Sequence, residues 1–157
     1  MHMRYRSPLF CTQTVSVAMC MNRTGDPAEL LLGPLFFTLV MSTVGALLFA
    51  TATGACCLAA LGWGDGLAPL AGKYFPLGRY KISPMHGSKT LSGSSAVFAG
   101  TTVGCLLFSA ALGLPKLADP ATFLPVAAVS ALVEAVTPDN LDNFSIPIAV
   151  YTWLELL

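Results

Sequence analysis

Charged side chains are scarce in this sequence. Only 10% of its 157 residues are Asp, Glu, Lys or Arg, whereas 55% are hydrophobic. Soluble domains average about 25% charged residues. A chain of this length cannot bury so much apolar surface in water, so a lipid bilayer is its expected solvent. The net charge is zero, which argues against a general nucleic-acid-binding protein.

Metal-ligating patterns of cysteine and histidine are also missing. The five cysteines are scattered through mostly apolar surroundings without zinc-ligand spacing, so we interpret them as small packing residues. The two histidines, His2 and His86, form no pair that would bind a metal. Residues 1–21 show no clear signal peptide or transit peptide and form a poorly defined N-terminal segment.

Long runs without charge divide the chain into apolar segments. They predict membrane helices at 30–50, 54–72, 91–113 and 121–137, followed by a short fifth helix at 144–157. The predicted fold is therefore all-α, a polytopic transmembrane bundle of about four to five helices in one membrane-embedded domain. The fifth helix would be about 21 Å long, which is less than the hydrocarbon core of about 30 Å. Both chain ends are thus expected to be truncated.

The third predicted helix carries small residues along one stripe, a pattern suited to close contact with another helix. They are Gly93, Ser94, Ser95, Gly100 and Gly104.

The charges collect in short polar segments on one side of the predicted bundle. Segment 73–89 carries half of the basic residues, and no acid occurs between Asp65 and Asp119. By the positive-inside tendency this side faces the cytoplasm or the equivalent compartment of an organelle. Two crossings and then two more return Glu134 and Asp142 to the same side, so acids and bases are expected to meet there.

The first candidate site is Asp65, a carboxylate at the end of a long apolar run. An ionisable group in a membrane segment is costly without a partner and is a functional-site candidate. Because Pro69 has no N–H, the carbonyl of Asp65 loses its helical partner and would suit a hydrated Mg²⁺. The alternative is a kinked packing helix in which Asp65 pairs with Lys73. Glycines that would let the backbone approach a ligand closely are Gly64, Gly66 and Gly72.

The second candidate site is the basic segment that ends at Ser88, Lys89 and Thr90, immediately before an apolar run. If a helix starts there, its free N–H groups, its dipole and Lys89 make an anion site. This arrangement follows the logic of phosphate-binding loops, although the spacing of a Walker motif is absent. The alternative is a juxtamembrane basic loop that sets topology or contacts anionic lipid.

The third candidate site is Glu134 with Asp139, Asp142 and Asn143. Glu134 lies in an otherwise apolar helix, where a carboxylate is costly without a role. Acids that meet a basic loop could hold a metal and receive a hydroxyl proton. The alternative is a polar interfacial turn that caps the last helix through Asn143.

These segments resemble the polyprenol kinase family, which includes phytol, farnesol and dolichol kinases and CTP-dependent diacylglycerol kinases. Residues 21–35 are similar to the segment that enters the membrane in phytol kinases. The similarity to the shared family core lies in Gly64–Ala68, Gly72, Lys73, Lys81 and Ser88–Gly93, and the similarity to its closing motif in Leu132–Glu134 and Asp142–Pro147. Ser92 stands where dolichol kinases tend to have Glu, which favours the phytol-like branch.

The resemblance implies phosphoryl transfer from a nucleoside triphosphate, usually CTP, to the hydroxyl of an isoprenoid alcohol such as phytol, geranylgeraniol or farnesol. It implies Mg²⁺ with the nucleotide, and membrane lipids, the alcohol and the nucleotide as partners. For phytol kinases it implies a plastid membrane and a product that feeds tocopherol synthesis. For other branches it implies the endoplasmic reticulum or a bacterial inner membrane.

The resemblance also implies roles for individual residues. The implied catalytic residues are Asp65, Glu134 and Asp142, and the implied metal ligands are Asp65, Asp142 and Asn143. The implied phosphate-binding residues are Lys73, Lys81, Ser88, Lys89, Thr90 and Gly93.

Three alternative functions stay open at this point. One is a dolichol or diacylglycerol kinase. Another is a phosphatidate cytidylyltransferase-like enzyme, which would attack the α-phosphate and release pyrophosphate. The last is a non-catalytic membrane fragment or scaffold.

Overall fold

The computed structural model describes residues 27–82, 88–138 and 141–156. Contacts between residues divide the chain into two units, 1–35 and 36–157. The described part of the first unit is the beginning of helix α1, which runs from Pro27 to Leu48. The second unit contains the rest of α1 and every later element.

Helices make up almost all of the second unit. After α1, one continuous helical stretch comprises α2 (Ala52–Ala59), a π-helical segment (Ala60–Asp65) and α3 (Gly66–Tyr74). Two short antiparallel strands follow, β1 (Arg79–Tyr80) and β2 (Lys89–Thr90). The remaining elements are α4 (Leu91–Leu112), a 3₁₀ turn (Pro115–Ala118), α5 (Pro120–Val136) and α6 (Asp142–Glu155). The predicted all-α class is confirmed, and the two short strands β1 and β2 form a β ladder of two residue pairs in addition to the helices.

Capping side chains set the starts of the later helices. Thr51 accepts a hydrogen bond from the Gly54 N–H at 3.0 Å and begins α2, and Asp119 accepts one from the Ala121 N–H at 3.0 Å and begins α5. Threonine and aspartate are favoured at this position because their oxygens satisfy a free backbone donor. The turn between α1 and α2 therefore lies at 49–51, slightly earlier than the predicted link at 51–53.

The long helix departs from α geometry before Pro69. The sequence predicted a lost hydrogen bond at the carbonyl of Asp65, opposite Pro69. The structure continues as α-helix through Pro69 and places the irregular part in Ala60–Asp65. There the Gly66 N–H donates to the Leu61 carbonyl, five residues back. Short π-helical segments of this kind are frequent at functional sites.

The core is built largely from small side chains. Cys56, Ala59 and Cys105 are fully buried, and Val126 and Ile146 pack in the same cluster. The sulfur atoms of Cys56 and Cys105 lie 4.0 Å apart, and both thiols are free. The interpretation of the cysteines as packing residues is confirmed for those in the described part of the chain. Small residues let α2, α4, α5 and α6 approach one another closely.

The small-residue stripe of α4 allows an especially close approach at Gly100. A Cβ atom at Gly100 would collide with the backbone carbonyl of Trp63, in the π-helical segment. At the facing position, a Cβ at Gly64 would lie 2.5 Å from the hydroxyl oxygen of Thr101. Both positions therefore require glycine because two helix backbones nearly touch.

Two helical stretches in the described part of the chain are long and apolar enough to cross a membrane. They are Ala52–Tyr74 and Leu91–Leu112, with mean hydropathies of 1.2 and 1.7. Leu32–Leu48 and Pro120–Val136 are apolar but shorter.

Substituting Gly100 with alanine should destabilise the fold. The added methyl group would meet backbone atoms that cannot rotate away, and overpacking of this kind costs about 1–3 kcal/mol. The matched control is Gly45→Ala in α1, where nothing lies within 4 Å of the added Cβ. That change should stabilise the helix by about 0.5–1 kcal/mol. Thermal unfolding in detergent micelles measures both, and equal midpoints for the two variants would contradict the close approach.

Candidate active site around Lys89, Glu134 and Asp142

A buried lysine lies between two buried carboxylates. Lys89 Nζ is 2.8 Å from Glu134 Oε1 and 3.8 Å from Asp142 Oδ2. The three residues are only 6%, 3% and 5% exposed. These residues form the buried ion cluster, which joins β2, α5 and the start of α6.

Local structure explains how the three side chains meet. Tyr80 and Lys89 are opposite each other in the β ladder, so their side chains lie on the same face of it. The Leu91 N–H donates to the carbonyl of Leu77 at 3.1 Å, which ties the loop before β1 to the start of α4. Asp142 lies in the first turn of α6, where the helix dipole favours a negative charge.

Glu134 has hydrogen-bond partners on both carboxylate oxygens. Oε1 accepts from Lys89, and Oε2 accepts from the Ser94 hydroxyl at 3.1 Å. The Ser94 oxygen in turn lies 2.5 Å from the Tyr80 hydroxyl. Sequence reasoning placed Ser94 in the packing stripe and did not single out Tyr80. A serine five residues after a lysine carries no distinctive signal.

The electrostatics of the buried ion cluster favour a cation. Its side chains carry one positive and two negative formal charges. Charges out of water are costly unless they are paired and hydrogen-bonded. Asp142 Oδ1 accepts a hydrogen bond from the Asn143 N–H at 3.0 Å, which partly compensates for the loss of water around this carboxylate. A bare phosphate group would meet two carboxylates here, so an anion would need a metal ion with it.

The other predicted site residues lie in different environments. Asp65 is half-buried at the end of the π-helical segment, which packs against α4, α5 and α6. Lys73 is exposed in the last turn of α3. Lys81 and Ser88 are exposed beside the two strands, outside the buried cluster. Asp139 lies outside the described residues.

At the predicted anion site at the start of α4, a side chain of the protein already binds one of the free backbone N–H groups. Thr90 caps the helix, and its hydroxyl accepts from the Gly93 N–H at 3.1 Å. A Cβ at Gly72 would lie 2.9 Å from the same hydroxyl oxygen, so Gly72 serves the approach of α3 to α4. Gly66 is exposed, and a Cβ there would have open space around it apart from the Leu61 carbonyl at 3.9 Å.

The donor chemistry of the cluster suits Mg²⁺ bound together with a nucleotide. Mg²⁺ prefers oxygen ligands and usually takes one or two carboxylates together with water and substrate phosphates. Glu134 and Asp142 supply carboxylates that both lie close to Lys89 Nζ, at 2.8 and 3.8 Å. Within residues 27–82, 88–138 and 141–156, no group of three or more Asp, Glu, His or Cys side chains could hold a metal ion. A metal ion bound by Glu134 and Asp142 would therefore need further ligands from outside the protein, such as water and substrate phosphates.

Removing the lysine alone should cost more stability than removing the pair. Lys89→Met leaves two buried carboxylates without their cation, and breaking a buried pair costs about 3–5 kcal/mol. Lys89→Met combined with Glu134→Gln should recover at least half of that loss, because the amide still accepts from Ser94. The free energy of unfolding measures both. Lys116→Met, at an exposed lysine in the 3₁₀ turn, is the control, and an equal loss in all three variants would contradict the buried ion cluster.

Comparisons with known proteins identify relatives over most of the chain. It is 34% identical over 139 residues to "Probable phytol kinase 1, chloroplastic" from Glycine max, an alignment that covers 82% of this chain and 44% of the relative. It is 30% identical over 139 residues to "Probable phytol kinase 2, chloroplastic" from Oryza sativa subsp. japonica, covering 83% and 45%. The chain thus spans about half the length of these curated relatives.

The remaining comparisons add no further relative. No family model matches the chain, and no solved structure matches it. The similarity to two phytol kinases extends over four-fifths of the chain and agrees with the resemblance drawn from its motifs. The chain is thus similar to phytol kinases, which are members of the polyprenol kinase family, over most of its length.

Proposed function

We propose that this chain forms the phosphoryl-transfer part of a membrane lipid-alcohol kinase. The donor is CTP, and the acceptor is the hydroxyl of phytol or a related isoprenoid alcohol. Two relatives named as chloroplastic phytol kinases support the reaction class and a chloroplast location. The observation that carries the proposal is the buried ion cluster, because buried, paired ionisable groups in an apolar helical protein mark a functional site.

Each member of the cluster has a proposed role in the transfer. Asp142 and Glu134 would hold Mg²⁺, with Asp65 and Asn143 as further candidate ligands. Mg²⁺ would supply neutralisation of the phosphate charge. Lys89 would exchange its carboxylate partners for phosphate oxygens when the nucleotide enters. Phosphoryl transfer needs mainly alignment and charge stabilisation, and these groups provide both.

The chemical step forms two bonds and breaks two. The alcohol oxygen bonds to the γ-phosphorus, while the bond from that phosphorus to the bridging oxygen breaks and releases CDP. The alcohol O–H bond breaks as well, and Glu134 takes the proton as general base. Exposed Lys73, Lys81 and Ser88 would guide the triphosphate towards the cluster, and Thr90 and Gly93 would shape the start of α4 beside it.

The fold is proposed to be a polytopic bundle of four to five membrane helices. Two helical stretches meet the length and hydropathy of a span, and two shorter ones are apolar. Large apolar side chains also lie on the outside, as at Leu47 (75% exposed) and Ile148 (63% exposed). Lipid would cover these side chains more favourably than water. The alcohol would then reach the cluster sideways from the bilayer.

Labelled nucleotides test the reaction directly. Membranes that contain the chain are incubated with phytol, geranylgeraniol, farnesol, dolichol or diacylglycerol and with CTP or ATP. We expect label from the γ-phosphate of CTP to appear in an isoprenyl phosphate, with phytol the preferred acceptor. Label that reaches lipid only from the α-phosphate would show a cytidylyltransferase instead. The absence of labelled lipid with every acceptor and both nucleotides would contradict the proposal.

Two single lysine substitutions, one inside the buried ion cluster and one outside it, separate the role of the cluster from general charge effects in the same assay. Lys89→Ala removes the cation that would contact phosphate, and we expect a loss of about 10²–10³ in kcat. Lys116→Ala removes an exposed charge in the 3₁₀ turn and should leave the rate within twofold. Equal activity in the two variants would exclude Lys89 from the reaction.

A further inference from the structure

An apolar groove lies between α1 and α6, and Cys57 of α2 lies at its base. We call it the α1–α6 groove. Its volume is about 400 Å³, within the range of about 300–1,000 Å³ that is typical of pockets for small molecules. The residues that line its two walls include Val40, Val44 and Leu48 from α1, and Phe144, Ile148 and Tyr151 from α6. Its size and its lining suit an apolar ligand.

The spacing of the lining residues makes the groove elongated. On α1 they recur every four positions from Val40 to Leu48, and on α6 every three or four positions from Phe144 to Tyr151. Residues three or four apart lie on one face of a helix, so each wall is a single stripe of side chains. The stripe on α1 is about 12 Å long. An extended hydrocarbon chain can therefore lie along the groove.

Contacts near both ends of the groove show that α1 and α6 run in the same direction. The rings of Phe36 and Phe144 lie with their centroids 5.0 Å apart, close to the start of α6. Towards the other end Thr53, which follows the turn between α1 and α2, donates a hydrogen bond to Glu155 at 3.3 Å. The groove thus runs from the first turn of α6 towards the turn between α1 and α2.

The first turn of α6 also holds polar residues of the candidate site. Asp142 belongs to the buried ion cluster, and the next residue, Asn143, is only 7% exposed. Asn143 lies one helical turn before Pro147, which lines the groove, so these two residues share one face of α6. The groove therefore starts beside residues that are proposed to take part in phosphoryl transfer.

The outer rim of the groove is open to the surroundings of the protein. Leu39 and Ile148 both line the groove and are 56% and 63% exposed. Thr43 lines it as well, but its hydroxyl donates to the Leu39 carbonyl at 2.8 Å, so its proton is used within α1. A ligand that fits this site is long and apolar, enters from the side and has one polar end near Asn143. A lipid alcohol has this form.

A second apolar groove of similar volume, about 390 Å³, lies between α3 and α4. Leu67, Ala99 and Val103 are among the residues that line it. Of the described residues around it, none belongs to β2, α5 or α6, the elements that carry the buried ion cluster. The second groove therefore provides a comparison site that has the same apolar chemistry but a different position.

We infer that the α1–α6 groove binds the isoprenoid tail of the acceptor alcohol and places its hydroxyl beside Asn143 and Asp142, an inference that rests on the proposed kinase function. Bilayer lipid is as apolar as the lining side chains, so the hydrophobic effect contributes little and the fit depends on packing. A tail held in the groove aligns the hydroxyl with the phosphate group, and such alignment speeds a reaction between two molecules. Changes in the groove should therefore affect the alcohol more than the nucleotide.

The first test fills the groove with one side chain. Thr43 is exposed, so Thr43→Trp can extend along the groove without displacing core residues. We expect kcat/KM for phytol to fall at least about tenfold, because a single methylene group in an apolar pocket changes it about 10–200-fold. The KM for CTP should stay within twofold. Ala99→Trp in the second groove is the matched control and should keep both values within twofold. An unchanged kcat/KM in Thr43→Trp, or a loss shared by Ala99→Trp or by the KM for CTP, overturns the inference.

The second test measures binding without nucleotide and so does not depend on catalysis. Farnesol with a photoreactive diazirine at the end of its tail is irradiated with membranes that contain the chain, and mass spectrometry identifies the labelled peptides. We expect label on α1 and α6 near Leu48 and Tyr151. Added phytol should remove this label, and so should Thr43→Trp. Added phosphatidylcholine and the control variant Ala99→Trp should leave it in place.

Other occupants of the groove would give different labelling patterns. Label that phosphatidylcholine displaces as well as phytol does would show a site for acyl chains. Label confined to the second groove would place the tail there, and absence of label from α1 and α6 is the result expected when a second copy of the chain covers the groove. Each of these results overturns the inference. The expected label together with inactive wild-type membranes supports the tail site and contradicts the proposed function.

Discussion

The burial of one ammonium group between two carboxylates is the constraint on which the described structure depends. Lys89 lies on a two-residue strand, Glu134 near the end of α5 and Asp142 at the start of α6. The cluster thereby joins a strand and two helices that are distant in the sequence. Once the three charges are out of water, each must stay beside the others, since an unpaired charge there is costly.

The same constraint decides what the site can bind. The three side chains of the cluster carry two negative charges and one positive charge, so the proposed nucleotide would enter together with a metal ion. In the proposed complex, Mg²⁺ would take the place of Lys89 beside Glu134 and Asp142. Binding of the nucleotide would exchange one set of ion pairs for another, which keeps the buried charge compensated throughout the reaction.

Sequence reasoning could predict the helices and which charges share one side of them. Charge-free runs marked the helices, because apolar segments of that length are helical in a bilayer. Counting crossings placed Glu134 and Asp142 on the side of Lys89, and the structure brings these three together. The π-helical segment, the β ladder and the contact of Ser94 with Glu134 could not be predicted. They depend on tertiary packing, and the residues involved have no periodic pattern.

A structure of the chain with Mg²⁺ and a non-hydrolysable CTP analogue tests the central claim most directly. In that complex we expect Lys89 Nζ to contact the γ-phosphate group, and the 2.8 Å contact with Glu134 to lengthen. Asp142 should lie beside the metal. An analogue bound elsewhere, with the three side chains unchanged, would contradict the assignment of the buried ion cluster as the site of phosphoryl transfer.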